Sequence, residues 1–246
     1  DTPRPDVLET LARPERVSAV RKTIFGEAAR LAERLGQPDR ALANWNRVSQ
    51  HARGELIKLV CGDDLLSPQA LRLQVAAFDA HPSAVFVASR RNLVDAARNE
   101  LMKARGLAGL QGCIPGREAA LASILAGTNI FGVPCCVMMR RDALERAGWW
   151  DGRFPYLIDQ ASYSNVMIQG DMVAMPEVLA SFRVSASQWS VRLMRQQSEQ
   201  AIAFHESFTH EHPGLATPAQ VRRGNLKARL MAWARRLAYI WLRRRM

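Results

Sequence analysis

Apolar residues along this chain keep two different rhythms, and the changes between them mark out its elements. Over 5–12 and 26–35 they recur at spacings of three and four, the period of an amphipathic helix. GELIKLV (54–60) alternates and then runs apolar, which predicts a buried strand entering a loop. SAVFVASRRNLVD (83–95) and VPCCVMMRR (133–141) predict two more strands. Between the first two, Ser67 suits an N-cap and Pro68 the first position of a helix reaching residue 80. Residues 116–127 read as another helix, and 141–148 as a short one closed by Gly148. Residues 156–170 predict a helix followed by a strand within 171–185, and 191–211 and 219–246 are helical. The stretch 99–117, punctuated by Gly106, Gly109, Gly112, Pro115 and Gly116, predicts a mobile loop.

Strands alternating with helices imply an α/β sheet, with ligands expected outside the carboxyl ends of its strands. At 246 residues, 48% of them hydrophobic and without internal repeats, the chain can bury a sizeable core. We expect a main domain over 1–190 and a helical, basic extension over 191–246.

Charge changes the picture only at that extension. Residues 222–246 hold nine Arg or Lys and no acid, so they supply +9 of the +11 net charge. A basic tail on a near-neutral body points to an anionic surface, most simply a membrane, rather than to a nucleic-acid groove. LMAWARRLAYIWLRRRM (230–246) is interrupted by Arg235 and Arg236, so it is expected to lie on a membrane, not to cross it. A solvated helix packed on its own domain is the competing account.

Cys61, Cys113, Cys135 and Cys136 lack zinc spacing and read as buried thiols of a reducing, cytoplasmic compartment. His51, His81, His205, His210 and His212 show no metal spacing and read as surface residues. No secretory leader precedes the first elements, and a chain opening on Asp1 instead of Met is compatible with a fragment.

The candidate chemistry lies in VCGDDLLSP (60–68), where Asp63 and Asp64 follow a strand end and Gly62. Adjacent carboxylates there suit a divalent cation, which prefers hard oxygen ligands. They equally suit a turn, with Asp64 near the positive end of the following helix.

Several pieces, in order, resemble family 2 glycosyltransferases of the GT-A fold. ALANWNRVSQHARGELIKLVCGDDLLSPQAL (41–71) resembles the block in which an Asn-Trp-Asn segment precedes a strand ending in an acidic metal-binding motif. GVPCCVMMRRDALERAGWWDGRF (132–154) resembles the acceptor-side block. YLIDQASYSNVMIQGD (156–171) matches the position of the catalytic base, and PEVLASFRVSASQWS (176–190) the closing strand.

The resemblance implies a GT-A-like, Rossmann-like mixed sheet flanked by helices. It also implies an inverting transfer of sugar from a nucleotide-sugar donor to a saccharide or lipid-linked acceptor in cell-surface polysaccharide synthesis. It assigns Mg²⁺ or Mn²⁺ to Asp63 and Asp64, donor contacts to Asn44, Asn46 and Arg183, and the base to Asp159. Acceptor contacts fall to Trp149, Trp150, Asp151 and Trp189. Each has a plainer account: a helix start for Asn44 to Asn46, a cap for Asp159, a buried turn for Trp149 to Asp151, and a core position for Trp189.

The sequence departs from the family pattern at three places. Cys61 replaces the first acid of the metal motif, Ile158 replaces the Glu before the base, and Ser185 stands where many members carry His. The family's opening strand and acidic nucleoside-gripping turn are not found, so the N-terminal nucleoside-binding segment is expected to be missing. An inactive homologue serving as a saccharide- or partner-binding module is the alternative.

Overall fold

The computed structural model describes residues 38–61, 64–184 and 196–242, with side chains from 42 to 236. The predicted helices at 5–12 and 26–35 lie outside those residues, as do Gly62, Asp63, Ser185 and Trp189. In chain order the elements are α1 (Pro38–His51), β1 (Leu56–Ile57), β2 (Leu65–Leu66), α2 (Ala70–Ala80), β3 (Ala84–Val94), β4 (Glu100–Arg105), β5 (Gly112–Pro115) and α3 (Gly116–Ala126). They continue with β6 (Val137–Arg140), α4 (Arg141–Arg146), α5 (Ile158–Met167), β7 (Asp171–Arg183), α6 (Gln197–Glu211) and α7 (Pro218–Leu242).

The sheet runs β1-β6-β3-β7-β2, with β4 also paired to β3 and β5 to β7. Its centre is the parallel pair β3–β7, running from Ala84 opposite Asp171 to Val94 opposite Arg183 with register shifts between Ala84 and Phe86 and between Ser89 and Arg91; the other pairs are antiparallel. This is a mixed α/β sheet flanked by helices, GT-A-like in architecture.

The first half of β3, Ala84 to Ala88, is an unbroken apolar run because both of its faces are covered. Phe86 and Ala88 enter the larger core with Ile124 of α3 and Tyr163 of α5, while Val87 enters a smaller one with Phe78 of α2.

The periodic pattern placed β3, β7, α3 and α5 to within a few residues, and fared worse at the edges. The strand expected over 54–60 is regular only at Leu56–Ile57. α2 begins at Ala70, because Ser67 and Pro68 form a turn in which Ala70 N–H donates to the Ser67 carbonyl at 3.0 Å. The expected mobile loop at 99–117 instead carries β4 and β5, joined by a tight turn with left-handed backbone at Gly106, Leu107, Ala108 and Gly109. Their hydrogen-bonding partners, β3 and β7, are remote in sequence, so glycine punctuation alone could not reveal them.

Two side-chain expectations also change. His205 is fully buried in α6, its Nδ1 2.8 Å from Asn225 Oδ1 of α7. Cys135 and Cys136 are buried, but Cys61 is only partly so and Cys113 is exposed on β5.

The C-terminal helices pack on the α/β core: Phe204, Phe208, Leu215 and Ala228 join the cluster that holds Phe86. The α7–α3 approach depends on small residues. A Cβ on Gly224 would sit 2.6 Å from the Ile124 carbonyl oxygen, and one on Gly127 only 2.3 Å from the Ala228 amide. Gly127 also ends α3 in the left-handed conformation (φ 63°), which glycine adopts without a Cβ clash.

Candidate active site

Asp159 lies in the first turn of α5 and is partly buried. Its Oδ2 accepts a 2.8 Å hydrogen bond from Asn129 Nδ2, and its Oδ1 a 2.7 Å bond from the Gln160 backbone N–H. The second bond is a local contact within the first turn of α5, whose N-cap is Leu157. Burial pushes the Asp159 carboxyl up to about 6, against the pull of those two bonds and of the positive charges of Arg91 and Arg235.

Asn129 is the joint of this corner. Its Oδ1 accepts from the N–H groups of Phe131 (2.9 Å) and Gly132 (3.2 Å), and its Nδ2 also donates to the Gly132 carbonyl at 2.9 Å. One amide therefore fixes the 129–132 turn and tethers the Asp159 carboxylate to it.

Arg91 projects from β3 toward the same place. Its Nε and Nη1 are buried, with no hydrogen-bond partner among the described residues. Nη1 lies where a Cβ on Gly132 would come within 2.6 Å and one on Gly106 within 3.3 Å, so the two glycines make room for the guanidinium. Bare, buried guanidinium N–H groups are donors suited to an anionic group on a ligand.

Arg235 reaches in from α7 and donates to Tyr156 Oη at 2.7 Å and to Thr128 Oγ1. Tyr156 and Thr128 stand beside the two segments that meet at Asp159. Tyr163, one turn beyond Asp159 on α5, buries a hydroxyl that has no hydrogen-bond partner among the described residues; burial first, and then the Asp159 charge, push it well up.

The buried Cys135–Cys136 turn follows Gly132; the Asp64 charge acts on Cys135, and both thiols act on Tyr163. The two sulfurs are 4.0 Å apart. Burial raises the Cys136 thiol, but Cys135, Arg91 and Lys58 outweigh it and bring it down to about 7. Lys58 follows β1 and donates to Gln74 Oε1 (2.8 Å) and to the carbonyls of Cys135 (2.6 Å) and Val137 (3.0 Å). Burial lowers its ammonium to about 8, partly offset by Cys135, Cys136 and Asp64.

Asp64 is partly buried on the loop after β1, its N–H donating to the Cys61 carbonyl at 3.1 Å. Its carboxylate oxygens are the hard ligands a divalent cation takes, and Mg²⁺ is commonly held by one or two such groups plus substrate phosphates. Among the described residues no cluster of three or more His, Cys, Asp or Glu forms a metal site. Any ion here would therefore depend on Asp64, its neighbour Asp63 and a ligand.

The other sequence-predicted residues divide. Asn46 Oδ1 accepts from the Trp150 N–H at 2.9 Å, and its Nδ2 donates to the Trp150 carbonyl at 3.4 Å. Trp150 is 2% exposed, packs edge-on against Trp45 at 5.1 Å and donates its indole N–H to Ser49. Asp151 is bound by Arg153 (2.8 Å) and Asn165. All three are tied into contacts within the protein; Trp150 is buried, while Asn46 and Asp151 keep partial exposure. Trp149 remains partly exposed, held at φ 67°. Asn44 is partly exposed on α1, and Arg183 sits at the end of β7 opposite Val94. Asn129, Arg91 and Arg235 were missed because each lies in a segment without a motif; the one cue was the clustering of glycines near 106 and 132.

The fold is that of a GT-A-like α/β domain. Residues 33–148 of the chain match the family model for glycosyl transferase family 2. Its fold is similar to the crystal structure of S. aureus TarS 1–349, with a TM-score of 0.51 at 12% identity, covering 76% of this chain and 49% of that one. A second crystal structure, of S. aureus TarS, aligns with a TM-score of 0.47 at 14% identity over 68% of this chain and 27% of that one. This chain thus spans about half the length of the first structure. No curated protein matches the sequence.

Proposed function

We propose that this chain transfers a sugar, with inversion, from a nucleotide-sugar donor to a hydroxyl of a saccharide or lipid-linked saccharide in cell-surface polysaccharide synthesis. The observation that carries this is Asp159: a carboxylate tethered by Asn129, flanked by two cationic side chains, and raised by burial to about 6. A base ionised at neutral pH, yet with its affinity for a proton brought close to that range, is what abstraction from an alcohol needs.

In the transfer, the acceptor oxygen attacks the anomeric carbon on the face opposite the nucleoside diphosphate. The new C–O bond forms as the bond to phosphate breaks, the leaving diphosphate takes the electron pair, and Asp159 takes the hydroxyl proton. Arg91 donates its unpartnered N–H groups to the anionic portion of the bound substrate. Asn44 and Arg183 contact the donor, and Trp149 and Trp189 border the acceptor. Mg²⁺ or Mn²⁺ on Asp63 and Asp64, when bound, neutralises charge on the diphosphate.

The test is transfer and donor binding by wild type and Asp159→Asn, using a panel of uridine and other nucleoside diphosphate sugars with Mn²⁺. Loss of transfer with donor binding retained supports the assignment. Unchanged turnover removes Asp159 from the mechanism, and saccharide binding without any donor binding favours the non-catalytic module.

A further inference from the structure

Helix α7 has two unlike sides. Gly224, Ala228 and Ala232 are buried on its inner side, where Arg235 also turns toward Tyr156 and Thr128. On the opposite side Leu226 and Leu230 are each 58% exposed and Trp233 65%. Spacings of four and then three set these side chains in one line along the helix. Exposed Arg222, Arg229 and Arg236 border that line on one edge, and exposed Arg223 and Lys227 on the other.

We propose that this outer face of α7 docks on an anionic lipid surface, with Leu226, Leu230 and Trp233 entering the interface and the two basic rows meeting lipid phosphates. Single exposed leucines are ordinary on a folded protein; a leucine–leucine–tryptophan line between two rows of cations is the pattern of a helix lying in a membrane interface. Charge complementarity selects the occupant. Residues 222–246 contain no acid, so a second copy of this face would meet like charge along its whole length. A polyanionic nucleic acid would leave the central apolar line against phosphates. Among the described residues no helix is long and apolar enough to cross a membrane, so the contact is one of lying on the surface. The docking is independent of the transfer reaction.

The experiment floats the full chain with vesicles of phosphatidylcholine alone or mixed with phosphatidylglycerol. We expect flotation with the anionic vesicles only, and a tryptophan emission shift on binding that disappears in Trp233→Ser. Combined Leu226→Ser, Leu230→Ser and Trp233→Ser should lower the bound fraction about tenfold or more, with the melting temperature kept because all three side chains are exposed. Arg222→Gln with Arg223→Gln and Arg229→Gln should abolish the preference for anionic lipid. The proposal is overturned if the chain ignores phosphatidylglycerol vesicles or if the triple serine variant floats like wild type. It is also overturned if light scattering finds a dimer that the serine variant loses, or if retention on duplex DNA exceeds vesicle binding.

Discussion

Asn129 and Asp159 stand thirty residues apart in the chain and are joined by a 2.8 Å hydrogen bond from amide to carboxylate. The same amide group also holds its own turn through Phe131 and Gly132, so the candidate base and the loop facing it are one unit. Replacing Asn129 by Ala should free both. We expect turnover to fall about ten- to a hundredfold and stability to drop by about 1–3 kcal/mol, since buried polar groups lose their partners. Transfer kinetics and denaturant melts check this together.

The Asp159 carboxyl also makes stability depend on pH in an uncommon direction. Its folded value, about 6, lies above the ordinary 3.8. The folded state therefore holds the extra proton between those values, and stability rises as pH falls through that window. Above it, the buried charge is a cost. Asp159→Asn should raise the melting temperature near pH 7.5, with the gain shrinking to nothing near pH 4. A variant no more stable than wild type at pH 7.5 would contradict this.

Arg235 acts on Asp159 from a helix outside the family-matched segment. Arg235→Gln removes a cation that favours the ionised carboxylate, so the acidic limb of the pH–rate profile should move to higher pH. Arg235→Lys should restore the limb while leaving turnover below wild type, because an ammonium cannot bond Tyr156 and Thr128 with one planar fork.

Gly132→Ala should be among the more damaging single-methyl changes. The added Cβ would meet Arg91 Nη1 at 2.6 Å and Cys136 Sγ at 2.9 Å, on a backbone at φ 95°. A loss of about 1–3 kcal/mol follows from strain and overpacking, together with reduced substrate binding as Arg91 is displaced. Thermal melts and donor titrations report the two effects separately.

If a divalent cation serves the acidic loop, EDTA should weaken donor binding and Mn²⁺ restore it in wild type. Asp63→Ala and Asp64→Ala should each lose most of that response. Calorimetry with metal present and absent measures it, and metal-independent donor binding would put the charge neutralisation on Arg91 instead.

Local pattern was enough to place the central strands and the helices that cover them. An apolar run at 84–88 must be buried on both sides, and helical spacing at 116–126 must face a core, whatever lies nearby. Motif order named Asp64, Asp159 and the turn at Trp149 to Asp151 as candidates. What pattern could not reveal is which side chains meet. Asn46 and Trp150 are 104 residues apart, Arg235 and Thr128 are 107, and neither pair leaves any periodic trace.

The sequence by itself thus determined the α/β class and the residue types available for chemistry, because periodicity, turn residues and motif spacing are local properties of a chain. Only the tertiary structure decided that Trp150 is buried and Asp151 tied to Arg153 and Asn165, and that Asn129, Arg91 and Arg235 surround Asp159. It also decided that the basic tail turns one face inward and one outward. Those outcomes depend on burial and on contacts between distant segments, and such contacts exist only once the sheet and its helices have closed on one another.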